Sequence, residues 1–483
     1  MFQVALSRAG VGNVFSLPAL RLGSRQWSGL AAGLVLSASV ACPGQLLARD
    51  YRVANEGELN SALRAAGAGD RVLLREGEWK DLYLSIRKGG TVMQPLVVMA
   101  EVPGKTVFTG QSYVRISGDN IVFANVVFRD GYAPGSTLIN VRGSKGGSPK
   151  RNRISGILVD NFSNPDKETK DFWVSLAGEG HRVDHCAFIG KTNAGPTMVI
   201  RVDLDEGKPN QHQIEYNYFG PRPNLGANGA ETIRVGTSSV VDEVSATRIY
   251  RNVFERTDGE PEVVSLKSRD NIVEENTFYE VAGAVTLRHG GHNSVLRNVF
   301  VGNGKENTGG VRVTGADHIV AGNYFEGLSG SGYLSALTLM NGEANASSSG
   351  YRPVERLALS GNSFFNNNQI AFGAGANDVR TVSPTGVEIS GNIFGGEGKL
   401  KLREYAPLSG VTFSGNIASR RVGFTNDGTE RQDFELRRAA NGLLYAYLGG
   451  ERIEAGVPVD MKPVTWTEVG PDYFTIPSVA SAE

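Results

Sequence analysis

Cysteine is almost missing: the 483 residues contain two, Cys42 and Cys186. No disulfide framework can be built from them, so the fold must stand on its own core, and Cys186 reads as a small buried hydrophobe. Charge of one sign is missing too. Lys+Arg 49 against Asp+Glu 50 gives a net charge of -1, which excludes nucleic-acid binding by a globally basic surface. Glycine shows no three-residue period, so a collagen-like chain is excluded. Long apolar runs are scarce, and the stretch Leu30 to Ala41 is too short for a membrane span. Hydrophobic residues at 40% supply a large core and exclude disorder for the bulk of the chain.

That apolar stretch follows Arg8, Arg21 and Arg25, has no acidic residue before it, and ends in Ser39-Val40-Ala41. The order reads as a secretory signal peptide over residues 1–41, with cleavage as late as 48 as a second option. Export to the periplasm or the medium is expected. Cleavage after Ala41 removes three positive charges and leaves the mature chain at -4.

Glycine is abundant, 62 of 483, or about 13% against the usual ~7%. Such an excess favours many tight turns over long helices. The turns belong to a repeat. Asn-x-Phe recurs at Asn217-Tyr-Phe219, Asn252-Val-Phe254, Asn276-Thr-Phe278, Asn298-Val-Phe300, Asn323-Tyr-Phe325, Asn362-Ser-Phe364 and Asn392-Ile-Phe394, fading at Asn416. The Asn spacings are 35, 24, 22, 25, 39, 30 and 24. A minimum near 22 with longer intervals fits a fixed coil with loop insertions. Short Val/Ile-rich segments lie between the markers without helices, which predicts a single parallel β-helix over 50–420. Asn at a coil corner can take a left-handed conformation and bond from coil to coil, and Phe two residues later builds an inward stack. Residues 55–66 form an amphipathic capping helix in this reading, with the first strand at Arg71–Leu74. Residues 421–483 are a C-terminal cap or tail.

Residues 228 to 315 carry the chemistry. Aligning strand ends puts Arg234, Lys267, Arg288 and Arg312 about one coil apart, at spacings of 33, 21 and 24. Four cations in one column repel unless a polyanion or acidic side chains oppose them. Glu260 and Glu262 share a face at i and i+2, and with Asn228 they offer oxygen ligands suited to Ca²⁺. A cation beside a substrate carboxylate acidifies the proton on the adjacent carbon, a lysine can take that proton, and an arginine or histidine can serve the leaving oxygen. These parts describe β-elimination at a uronic-acid glycosidic bond. Hydrolysis needs two opposed carboxylates, for which Glu231 and Asp258 are the remaining candidates.

The segments Asn228-Gly-Ala-Glu-Thr-Ile-Arg-Val-Gly236, Glu260-Pro-Glu-Val-Val-Ser-Leu-Lys-Ser268, Leu287-Arg-His-Gly290 and Gly310-Val-Arg312 resemble polysaccharide lyase family 6, which holds alginate lyases and chondroitinase B on right-handed parallel β-helices. The resemblance runs from about residue 50 to beyond 400. It implies Ca²⁺ on Asn228, Glu260 and Glu262, Lys267 as base, Arg288 as acid, and substrate contacts at Arg201, Arg234, His289 and Arg312. Alginate is the implied substrate, with dermatan sulfate as the alternative and a non-catalytic polysaccharide-binding β-helix as the reading from another class. The tail is too short for the second β-helix domain of some members. A monomer is expected, and His181, His185, His212, His292 and His318 receive no role.

Overall fold

The computed structural model describes residues 48–143, 147–202, 207–226, 228–397, 400–423 and 426–476. The signal-peptide reading and Cys42 lie outside them. Among the described residues the chain winds through three parallel sheets of 14, 12 and 14 strands, each strand pairing with its counterpart one coil away. The first sheet runs from Asp50–Val53 to Val411–Ser414, the second from Tyr83–Ile86 to Lys401–Glu404, and the third from Gly77–Lys80 to Thr429–Gln432. This is the parallel β-helix that the repeat predicts. No helix among these residues is long and apolar enough to cross a membrane.

The Asn-x-Phe marker builds two stacks. Asn217, Asn252, Asn276, Asn298, Asn323, Asn362, Asn392 and Asn416 form a ladder in which each side-chain amide donates to the next Oδ1 at 2.9–3.0 Å. All eight are buried, so every bond made there avoids an unpaired polar group. The left-handed residue at this corner is not the Asn, as expected from sequence, but its predecessor: Tyr216, Arg251, Glu275 and Arg297, then Gly322, Gly361, Gly391 and Gly415. The ladder Asn is thereby free to spend its side chain on neighbouring coils. Cys186 occupies the same corner one coil before Asn217, its N–H donating to Asn217 Oδ1 at 3.0 Å. Inside, Phe188, Phe219, Phe254, Phe278, Phe300, Phe325, Phe364 and Phe394 stack nearly parallel with centroids 4.6–5.3 Å apart.

A second corner collects the histidines. His181 and His212 stack at 4.8 Å, and His181 Nδ1, His212 Nδ1 and His318 Nδ1 each accept a backbone N–H from the preceding coil. Asn271 and Asn293 fill this role in other coils. Variable loop lengths conceal the shared position in the sequence.

Helix Glu56–Ala65 is capped by Asn55, whose side chain accepts from Glu58 N, and buries Leu59 and Ala62 against the first coils. The strand Asp50–Val53, ahead of the expected first strand, pairs with Arg71–Leu74. At the other end the third sheet continues to Thr429–Gln432. The chain then forms a small antiparallel sheet over Glu435–Arg452 and returns along the third sheet. Thr277 Oγ1 donates to Val464 O, Trp466 Nε1 to Glu255, and Tyr473 Oη to Gly156 O at 2.8 Å.

Candidate active site

The second sheet carries every strand that supplies a site residue: Met198–Ile200 ahead of Arg201, Ile233–Val235, Glu262–Lys267, Ala284–His289 and Val311–Val313. Its inward positions are Val, Ile, Leu and Met, which fixes the intervening residues outward. The cations do not form the single column read from the spacings. Arg234 is in register with Ser265, Ser265 with Thr286, and Thr286 with Arg312. A bulge between Leu266 and Lys267 shifts the next position, so that Lys267 faces His289. The split follows from the strand register and that shift, which place Arg234 and Arg312 at one position along the strands and Lys267 at the next outward one.

Glu262 is the hub. Its Oε1 pairs with Arg312 and lies 3.5 Å from Arg288 Nε, while its Oε2 accepts from Ser265 Oγ at 2.6 Å and lies 4.0 Å from Lys267 Nζ. Burial opposes this charge, but Arg312, Lys267, Ser265 and Arg288 together hold its pKa below the usual carboxylate value. Lys267 Nζ also reaches Glu231 Oε1 at 3.3 Å, and Arg234 lies 3.9 Å from the same oxygen. Arg288 is held from behind: it donates to the carbonyls of Ser349 and Gly350 at 3.1 and 3.2 Å and lies over the Tyr351 ring. His289 is buried, with Nδ1 3.3 Å from Arg288 and Nε2 3.3 Å from Ser238 Oγ. Burial, then the charges of Arg288 and Lys267, push it down to about 3, so it is neutral at ordinary pH. Arg201 is exposed, bonds Ser175 Oγ at 2.9 Å and shares the Phe172 ring with Arg234.

Three carboxylates meet here: Glu231, Glu260 and Glu262, each offering an oxygen within 4.8 Å of the others. Glu260 is buried at 1% exposure, and neither of its oxygens meets the geometry of a hydrogen bond. Burial first, then repulsion from Glu231 and Glu262, raise its pKa to about 8. Glu231 Oε2 is also without a partner. Orphaned buried carboxylate oxygens are costly, and an all-oxygen pocket of this charge fits a hard divalent cation. Asn228 lies exposed on the loop three residues before Glu231. Glu231 is the residue that sequence reasoning left out of the ligand set. It stands in the same segment as Asn228, but its i, i+3 spacing carries no strand signal.

A buried guanidinium braces that loop. Arg222 donates to the carbonyls of Ala230, Glu231, Asn193 and Gly195 at 3.0–3.3 Å. Gly259 permits the approach, since a Cβ there would stand 2.3 Å from Ala230 O and 2.9 Å from Arg222 Nε. Asp258 is paired with Lys305 at 2.5 Å and caps Ala282 N, so its carboxylate is committed elsewhere and is not a free partner for Glu231.

The family model described as Chondroitinase B matches residues 53–454. Among solved structures, the family 6 alginate lyase AlyGC shares 36% identity at a TM-score of 0.86 over 89% of this chain, which spans 59% of AlyGC's length. A mannuronic acid specific family 6 lyase from human gut microbiota shares 26% identity at 0.72, covering 80% of this chain and 91% of that one. A family 6 lyase from Pseudopedobacter saltans shares 25% identity at 0.71, covering 88% and 99%. A search of the curated proteins finds no match. The chain belongs to polysaccharide lyase family 6.

Proposed function

We propose that the protein is an exported lyase that cleaves alginate by β-elimination and leaves a 4,5-unsaturated sugar at the new end. The observation that carries this is the approach of Lys267 Nζ and Arg288 Nε to one carboxylate, at 4.0 and 3.5 Å, beside two others with orphaned oxygens. A basic and an acidic nitrogen on one outward face can serve both ends of an elimination. Calcium held by Glu260 and Glu262, with Glu231 and Asn228 alongside, would neutralise the uronate carboxylate and acidify the proton on C5. Lys267 Nζ, in its neutral form, takes that proton, the C4–O bond breaks as the C4–C5 double bond forms, and Arg288 gives a proton to the departing oxygen. Neutral His289 orients Arg288 through Nδ1. Arg201, Arg234 and Arg312 bind carboxylates of the flanking sugars.

Alginate is favoured by the likeness to the alginate lyase AlyGC, at 36% identity. Dermatan sulfate is the second reading, favoured by the Chondroitinase B description of the matching family model. Incubation with alginate, dermatan sulfate and pectate, with and without chelator, tests both through ultraviolet absorbance of the unsaturated product. Product from alginate that chelation abolishes supports the proposal. Absence of unsaturated product from all three refutes the elimination, and dermatan sulfate alone as substrate refutes the alginate assignment.

A further inference from the structure

The cationic face of the site sheet extends past the acidic centre. Ladder bonds carry the Lys267 position toward the N-terminal coils: Gly236 N donates to Ile200 O, Arg201 N to Leu176 O, Ala177 N to Val141 O, Arg142 N to Ile116 O, and Ser117 N to Ile86 O. The column in register with Lys267 therefore reads, from the N-terminal end, Arg87, Ser117, Arg142, Ala177, Arg201, Gly236, Lys267. A long cation alternates with a small residue at every step. Successive coils lie about 4.8 Å apart, so the cations recur at about 10 Å.

Arg87 and Arg142 are exposed, and among the described residues neither is ion-paired; the Arg87 side chain donates to Ser85 Oγ at 3.2 Å. On the same sheet, four residues earlier along the strand that leads to Arg87, Tyr83 is in register with Tyr113 and stacks on it at 4.4 Å with 17° between their planes, and Tyr83 is 38% exposed. An aromatic pair with one exposed member, on the same sheet as uncompensated arginines, suits a ligand that is anionic and also offers apolar faces. A 1,4-linked polyuronate in an extended two-sugar repeat is such a ligand. It returns a carboxylate to the same edge every second sugar, a period comparable with two coils.

We propose that Arg142 and Arg87, continuing from Arg201, form a distal binding track for polyuronate chains, with the Tyr83–Tyr113 pair stacking against sugar at its far end. The ligand class rests on the lyase reading above. The track makes long chains bind better than short ones, and it runs from the centre toward the N-terminal coils.

The test compares the full chain with Arg87→Gln/Arg142→Gln and with Tyr83→Ala, on high-mass alginate and on an alginate tetrasaccharide. The expected result is a KM for polymer raised about tenfold, the effect of roughly one lost contact, with kcat retained and the tetrasaccharide affected less than about twofold. Binding is measured separately by affinity electrophoresis in alginate gels, in a Lys267→Ala background that does not turn over. Weaker alginate retention of the double variant there supports the track even if the parent chain releases no unsaturated sugar, in which case the elimination reading alone has failed. Polymer KM and gel retention both unchanged overturn the track. Equal loss of retention in dextran sulfate, which has no uronate, overturns the polyuronate assignment.

Discussion

The guanidinium of Arg288 lies 4.3 Å from the centre of the Tyr351 ring, and Arg380 lies 4.8 Å from the same centre. The loop bearing Tyr351 is anchored by Arg352, which pairs with Asp242 through both oxygens at 2.6 and 3.1 Å. Arg288 is thus held by an insertion sixty residues further along the chain, and not only by its own strand. Tyr351→Ala should lower kcat about tenfold or more with little change in melting temperature, since a misplaced catalytic group is costly even when folding is intact. Tyr351→Phe keeps the ring and should keep most activity. Steady-state kinetics of the two variants on alginate checks this, and equal activity in all three proteins would refute the positioning role.

Lys267→Ala and Arg288→Ala should each abolish turnover by orders of magnitude. Their side chains are 15% and 14% exposed and rest on Glu262 and Glu231. Removing either cation leaves a carboxylate less compensated, so a modest stability loss of about 1–2 kcal/mol accompanies the loss of rate. Denaturant unfolding beside product absorbance separates the two effects.

Glu260→Gln should raise the melting temperature of metal-free protein at neutral pH, because it removes one of three crowded buried carboxylates. Calcium should raise the melting temperature of the parent chain, and the same substitution should erase that gain. Scanning calorimetry with calcium and with chelator measures both. A gain from calcium that survives in Glu260→Gln would exclude this residue from the cation site.

The histidine corner predicts acid sensitivity. Burial depresses His181 and His318 to about 4 from the ordinary value of 6.5, and His212 well below it. Between pH 6.5 and 4 the unfolded chain binds these protons and the folded chain does not. Stability therefore falls as pH drops through that window. Asn fills the same corner at Asn271 and Asn293, so His181→Asn/His212→Asn/His318→Asn should fold and lose much of this acid limb. Urea unfolding at pH 7 and pH 4.5 reads the difference.

The Asn ladder gives a sharper stability test. Asn298 accepts from Asn276 N and Nδ2 and donates to Val273 O and Asn323 Oδ1, all at 2.9–3.0 Å and fully buried. Asn298→Ala orphans several of these groups at once and should cost about 3 kcal/mol or more. The same change at the exposed Asn228 should leave stability nearly untouched.

The solenoid was legible in the sequence because its ladder and its stack use one residue type each, at one corner and one inward position. Asn298 and Phe300 announce themselves by repetition. The histidine corner was not legible, since Asn and His share that role and loop insertions break the spacing. At the site, Lys267, Arg288, Glu260 and Glu262 could be drawn together from strand periodicity. Glu231 and Tyr351 could not, because they enter from loops whose paths depend on Arg222 and on the Arg352–Asp242 pair. The bulge after Leu266 was equally hidden, as no residue there signals a register shift.

The returning segment from Val464 to Tyr473 changes how such an array can come apart. Stacked coils touching only their neighbours unravel from either end, one unit at a time. Here Tyr473 bonds the backbone at Val126 and Gly156, Trp466 bonds Glu255, and Val464 bonds Thr277. Coils far apart in the stack are stapled by a segment that is synthesised after all of them. Fraying of a single coil must then release contacts made elsewhere, which couples the early and late coils into one cooperative transition. Folding acquires a final step of its own, the docking of this segment, and coils formed before it carry an unsealed flank.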